Sequence, residues 1–522
     1  MNHAPIVPIA LPALTAALML LDRRRPAQRL LAWVSTLLLT ACAAWMVTLA
    51  SDGWRGVYLL GNWAAPWGIV LVADRLSSLM VLLSSLLGLI ALAASHARED
   101  TRGIHFLPLL QVQLMGLNGA FLTGDLFNLF VFFEVMLIAS YGLLLQGDGA
   151  ARVAAGLRFV ALNLVGSALF LLGASLLYGV TGTLNMADLA GRVATLEGME
   201  AVLARSAGAL LLTVFCLKAA ILPLGFWLPS TYVCASPPVA MVFAIMTKVG
   251  VYAVLRLFTL VFGADAGASA DVAFAWLAPV AAAGAFLAMA GSLGSTDLRR
   301  MAALLVVASA GFLMTGVGLA DERTIAAAVF YLPHSTLAAA ALFGVSWLIE
   351  DSRGTAGCRM VEGPLPARAS LLGGLFFISA VAISGLPPFG GFIAKAMMLV
   401  AMLPHEQRHA PGPLLLAFLW ATLLLGSLLS VIALARAGSR LFWSARHQDT
   451  IEDEEAPLAR GSVAAVLMAL AGVAAVTLGA GPLQRYAQAT AEDLLAPASL
   501  ISEVMQTRQV PSPHTTAPRP AP

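Results

Sequence analysis

The sequence predicts an all-α polytopic membrane protein of about 14 transmembrane helices, arranged as two inverted five-helix repeats with broken seventh and twelfth helices. Three observations lead there. Sixty per cent of the residues are apolar and 11 per cent charged, with a mean hydropathy of +0.87, far outside the soluble range. The apolar residues fall into about fourteen runs long enough to span a bilayer, centred near residues 12, 40, 84, 113, 135, 168, 213, 250, 282, 309, 337, 388, 428 and 471. Two of these runs carry proline and glycine clusters at depths where no water can satisfy the freed backbone groups.

Residues 1–103 hold the first three helices. Arg23, Arg24, Arg25 and Arg29 follow the first apolar run instead of preceding it. That order is the opposite of a cleavable signal peptide and sends the N-terminus outward. Alternating through the spans places Arg98, Arg102, Arg152, Arg158, Arg299, Arg300, Arg353, Arg359, Arg368, Arg436, Arg440, Arg446 and Arg460 on the side of the first four, seventeen of 27 arginines in all. The expected location is the bacterial inner (plasma) membrane, with both termini on the non-cytoplasmic side. Residues 104–263 form the first five-helix unit, 264–445 the second, and 446–504 the last transmembrane helix region. Residues 505–522 are a polar, proline-bearing tail expected to be disordered.

The seventh run ends in Leu222-Pro223-Leu224-Gly225-Phe226-Trp227-Leu228-Pro229, and the twelfth contains Ser384-Gly385-Leu386-Pro387-Pro388-Phe389-Gly390-Gly391-Phe392. Proline removes a donor and blocks the preceding turn, so both helices should unwind there. Interrupted segments at matching positions of two halves point to a transport site. They lie five segments apart, an odd number, so the two units are inverted relative to each other.

The chain has only three lysines, Lys218, Lys248 and Lys395, all within apolar runs. An arginine-biased genome would make lysine rare everywhere, so depth, not rarity, carries the argument. Charge at the bilayer centre costs on the order of 3 kcal/mol and is usually functional. Burial can bring a lysine, unlike an arginine, into a range where it exchanges a proton. Glu134 lies within the run Leu126 to Leu145, and a nearby Lys218 would form a separable charge pair with it. Lys248 sits midway along the eighth run, and His334 alone among eight histidines lies well inside an apolar run. Histidine titrates near neutral pH and suits a relay between lysines. A structural buried pair, a snorkelling lysine and a core histidine are the plainer readings of the same residues.

Other chemistries find no support. No lysine follows a glycine, which excludes a phosphate-binding Walker A loop, and there is no HExxH or CxxC. Cys42, Cys216, Cys234 and Cys358 are scattered. No cofactor, metal or nucleic-acid partner is expected, and the chain is expected not to be an enzyme.

The run Thr123-Gly124-Asp125-Leu126-Phe127-Asn128-Leu129-Phe130-Val131-Phe132-Phe133-Glu134-Val135-Met136 closely resembles the D subunit of Mrp-type (Mnh or Pha) multisubunit cation/proton antiporters. Leu217-Lys218-Ala219-Ala220, Met246-Thr247-Lys248-Val249-Gly250 and Gly385-Leu386-Pro387-Pro388 leading to Lys395 extend the likeness over roughly residues 70–445. The superfamily includes antiporter-like subunits of respiratory complex I and membrane-bound hydrogenases. The resemblance implies fourteen helices, inverted five-helix repeats and a midplane proton relay of Glu134, Lys218, Lys248, His334 and Lys395. It also implies other subunits of a hetero-oligomeric complex as partners, with H⁺ and Na⁺ or K⁺ as cargo. Some relatives carry a second ionisable residue four places after the histidine, where this chain has Ala338. Two readings follow: a subunit exchanging monovalent cations for protons, or a proton-pumping subunit of a complex I-type or hydrogenase redox complex. A structural scaffold is a third, which the line of titratable residues disfavours.

Overall fold

The computed structural model describes residues 3–95, 103, 105–147, 149–361, 363–366, 368–405, 411–443 and 458–509. The loop arginines Arg98, Arg102 and Arg446, and residues 510–522 of the expected disordered tail, lie outside them. Among the described residues eleven helices are long and apolar enough to cross a membrane, joined by four shorter apolar helices.

Helices α1 (Val7–Leu21) and α2 (Arg25–Ser51) open the fold; α1, at 15 residues, is shorter than the expected run. A hairpin of β1 (Gly56–Leu59) and β2 (Val70–Ala73) follows, in the register Gly56 to Ala73. The sequence reading missed it, because eight strand residues in a short loop leave no periodic signal. Next come α3 (Arg75–Ser95), α4 (Phe106–Leu122), α5 (Leu126–Leu144), α6 (Ala150–Thr181), the short α7 (Met186–Val193) and α8 (Gly198–Lys218).

The seventh run breaks as expected. α8 stops at Lys218, Ala220 takes a positive φ of 58°, and the chain re-enters as α9 (Trp227–Cys234). Gly225 is required there, since a Cβ would lie 2.1 Å from the Ala220 carbonyl oxygen. The eighth run is also broken, which the sequence reading did not foresee: α10 (Pro237–Phe243) and α11 (Met246–Leu260) are separated at Ala244–Ile245. Aromatic donors take up the loose carbonyls. Trp227 Nε1 donates to Leu217 O at 3.2 Å and Tyr232 Oη to Phe243 O at 2.6 Å. No proline marks the second break, so composition gave no sign of it.

The second half runs through α12 (Phe274–Gly294), α13 (Leu298–Gly318), α14 (Glu322–Arg353), α15 (Ala369–Ser384), α16 (Gly390–Ala401) and α17 (Pro413–Gly438). α15 ends on Gly385 in the left-handed conformation, φ 72°, the expected twelfth-run break. α18 (Arg460–Leu478), α19 (Ala480–Leu495) and α20 (Ala498–Gln506) close the chain. α20 includes Met505 and Gln506, so helix extends past the expected start of the tail.

Two main-chain clasps recur at opposite ends of the bundle. In one, Asp125 caps α5 through Asn128 N, Met186 N donates to Gly124 O and Leu126 N to Leu184 O. In the other, Asp297 caps α13 through Arg300 N, Met360 N donates to Thr296 O and Leu298 N to Cys358 O. A hydroxyl two residues ahead, Thr123 or Ser295, bonds each aspartate's main chain. The hairpin, α7, α20 and His3, whose ring meets Tyr58, share the first end. Arg152, bonded to Cys234 O, and Arg299, bonded to Val233 O and paired with Glu350, share the second. Both described chain ends therefore lie at one end of the bundle.

α11 and the middle of α14 are enclosed by other helices. At the foot of α14, Arg353 donates to the carbonyls of Pro364, Gly357, Arg359 and Val361 at 2.8–3.1 Å. Arg353→Met should strip all four at about 1–3 kcal/mol per group left dry. The expected outcome is a thermal midpoint lowered by several degrees in detergent and faster proteolysis of the 354–366 loop.

Candidate functional site

The five titratable residues lie on five helices: α8 packs on α11 and α14 on α16, while α6 stands between α5 and α8, and α13 between α11 and α14. Glu134 is half-buried on α5, and Ser167 of α6 donates its hydroxyl to the carboxylate. Lys218, at the last turn of α8, donates to Asn163 Oδ1 on α6 at 3.2 Å. Ser167 also bonds the Asn163 carbonyl at 2.9 Å. The expected direct Glu134–Lys218 ion pair is therefore absent among the described residues. A one-turn polar step on α6 stands between the two charges.

Lys248 occupies the first turn of α11, just past the unforeseen break, not mid-helix as the sequence suggested. It is fully enclosed and donates to Ser309 Oγ of α13 at 2.8 Å. The α8 and α11 backbones touch here: a Cβ on Gly250 would meet Ala219 N at 2.5 Å. Adjacent turns of the two helices thus carry Lys218 and Lys248.

His334 is buried on α14, with Nε2 3.0 Å from Ala382 O, a carbonyl of the last turn of α15. A carbonyl only accepts, so Nε2 carries the proton and Nδ1 is the free acceptor. Nδ1 is buried without a partner. Gly390 and Gly391 cradle the ring: a Cβ would lie 3.4 Å from Nδ1 at the first and 2.5 Å from Nε2 at the second. Tyr331 stacks beside the ring at 6.1 Å and meets Phe312 at 4.6 Å. Ala338 is buried and adds no titratable group.

Lys395, half-buried on α16, reaches back across the break to donate to Ser384 O at 2.6 Å and to Ser427 Oγ of α17 at 2.9 Å. Gly385 permits this, since a Cβ there would lie 2.9 Å from Nζ. The lysine sits where the last carbonyls of α15 concentrate partial negative charge.

Residues 123–425 match the family described as NADH:quinone oxidoreductase/Mrp antiporter, transmembrane. The chain is similar to the D subunit of a probable K⁺/H⁺ antiporter from Rhizobium meliloti, 43% identical over 95% of this chain and 96% of the relative. It is also similar to the D subunit of the Na⁺/H⁺ antiporter from Alkalihalophilus pseudofirmus, 32% identical over 97% of this chain and all of that one. The chain belongs to the NADH:quinone oxidoreductase/Mrp antiporter family. Among solved structures, the Mrp complex from a Dietzia species aligns with a TM-score of 0.84 at 28% identity, over 97% of this chain and all of the matched one. A membrane-bound archaeal sulfane sulfur reductase shares the fold, with a TM-score of 0.83 at 22% identity. This family member is a multi-pass membrane protein.

The sequence reading missed the neutral partners Asn163, Ser167, Ser309 and Ser427, which look ordinary in any membrane helix. It also missed a buried ion pair: Arg256 of α11 grips Asp74 with Nη1 at 2.6 Å and Nη2 at 2.9 Å. An arginine eight residues after Lys248 was the available signal. Gly391→Ala should force the imidazole off Ala382 and lower transport at least about tenfold, while Gly374→Ala, with open space around it, should leave transport intact; vesicle assays at matched complex levels would compare them.

Proposed function

We infer that this chain is a membrane subunit of a multisubunit monovalent cation/proton antiporter, and that it moves protons through Glu134, Lys218, Lys248, His334 and Lys395. One observation carries the relay. Among the described residues, each of the five is bonded to a neutral hydroxyl, amide or carbonyl, and none forms an ion pair. Each can gain or lose a proton without abandoning a fixed counter-charge. Asp74–Arg256, by contrast, is a two-point ion pair.

Counting α10–α11 and α15–α16 as single broken spans makes about fourteen crossings, with α7, α9, α19 and α20 outside the count. The matching clasps at Gly124 and Thr296 support two inverted five-helix units, over residues 104–263 and 264–445, because the same hydrogen bonds recur at opposite ends. Arginine placement supports both termini lying on the non-cytoplasmic side of a bacterial inner membrane. The names of the relatives support the antiporter over a redox pump; both K⁺ and Na⁺ appear among them. Glu134 and Lys395, half-buried at opposite flanks, suit hand-over to neighbouring subunits of the complex.

Glu134→Ala should leave insertion and assembly intact and abolish ΔpH-driven cation exchange in vesicles. An apolar pair at Glu134 and Lys218 should fail equally; full transport by that double variant would rule out a path through it. Lys395→Arg keeps a positive charge but does not release a proton, so turnover should fall at least about tenfold. Wild-type rates would make Lys395 a fixed charge. Expressed alone in cells lacking sodium/proton antiporters, the chain should not restore salt tolerance, whereas co-expression with its partner subunits should.

A further inference from the structure

α11 is enclosed along its whole length, yet carries Lys248, Tyr252 and Arg256 at four-residue spacing on one stripe. The stripe climbs from the relay to the end of the bundle that holds the hairpin. Above the lysine, whose Nζ is bonded to Ser309, Tyr252 Oη donates to Phe121 O at 2.5 Å and accepts from Arg256 Nε at 3.3 Å. Arg256 then holds Asp74, whose carboxylate also accepts from Ser77 N and Oγ, each at 2.9 Å.

Two cavities flank Arg256. One, of about 10 Å³, is lined by Arg55, Asp74, Arg75, Arg256, Thr259 and Asp493 among others. The second, of about 20 Å³, is bordered by Thr123, Gly124, Tyr252 and Arg256. Each is of the size that holds a single water. Arg75 Nε, on the first, is buried without a partner. Leu500 of α20 walls both cavities, and α20 is tied down by Arg55, which bonds Ser499 at 2.9 Å and Asp493 at 2.9 Å.

We propose that this stripe is the outer half of the proton path, with Asp74 as its receiving carboxylate and α20 as its cover. The step rests on the relay reading above. A proton from the outer solution adds to an Asp74 oxygen and releases it from Arg256. Through a water in each of the two cavities it passes by Arg256 to Tyr252 Oη, which turns from Phe121 O and gives its own proton to neutral Lys248 Nζ. The relay gains one proton, and Asp74 returns to Arg256 as a carboxylate. Arg55, Arg75 and Asp493 also face this chamber, from the segment before β1, α3 and α19, and set the charge the proton meets.

The assembled complex in sealed vesicles of known orientation tests this. Thr259→Cys places a thiol on the chamber wall. A membrane-impermeant methanethiosulfonate should block its transport from the outer face only, and faster once Leu500→Gly thins the cover. Asp74→Asn paired with Arg256→Gln keeps a hydrogen-bonded neutral pair; if the original pair were merely structural, this double variant would transport normally. On the proposal it assembles but turns over roughly 100-fold slower, the scale of a lost proton-transfer group. Normal transport by that variant, or a Thr259→Cys chamber insensitive to outer reagent, overturns the outer path. If instead Glu134→Ala and Lys395→Arg transport normally, the relay reading itself has failed, whatever Asp74 does.

Discussion

A helix that breaks inside a bilayer leaves carbonyls that water cannot reach, and every other feature of this site follows from where those carbonyls find donors. In the first half of the chain the donors are inert: the indole of Trp227 and the phenol of Tyr232. In the second half they are titratable: Lys395 serves Ser384 and His334 serves Ala382. The break in α15 is thus stabilised by groups whose protonation can change. Protonation state and helix geometry are coupled by construction.

The same economy explains the glycines around it. Gly385, Gly390 and Gly391 are the positions at which a methyl group would intrude on Lys395 or His334. Their absence of side chain lets a lysine and an imidazole approach main chain closely enough to hydrogen-bond. In the first half, Gly250 does the equivalent, letting α8 and α11 touch. Small residues here create reach, in addition to close helix packing.

Much of this was legible in the sequence. Hydropathy located the spans, and proline and glycine located two breaks, because both signals are local. The titratable line was legible because charge at such depth is costly. What stayed hidden depended on partners distant in sequence. Ser309 and Asn163 matter only because helices bring them to Lys248 and Lys218. Asp74 looks like a loop residue until α11 delivers Arg256, 182 positions away. The break at Ala244–Ile245 has no proline, and its cause is tertiary: the Tyr232 hydroxyl takes the Phe243 carbonyl. Hairpin, α7 and α20 were invisible for a simpler reason, since short elements on a membrane rim carry too few residues to show a period.

The tautomer of His334 has a further consequence. With Nε2–H held by a main-chain carbonyl, which cannot accept the proton outright, Nδ1 is the one nitrogen open to exchange. A proton taken up there must leave from the same nitrogen for as long as Ala382 stays in place. In this arrangement the imidazole is a capacitor and not a wire: it stores charge without passing it through. In the relay we propose, discharge from Nε2 towards Lys395 waits until the last turn of α15 lets go, which would meter the proton flow by a backbone movement.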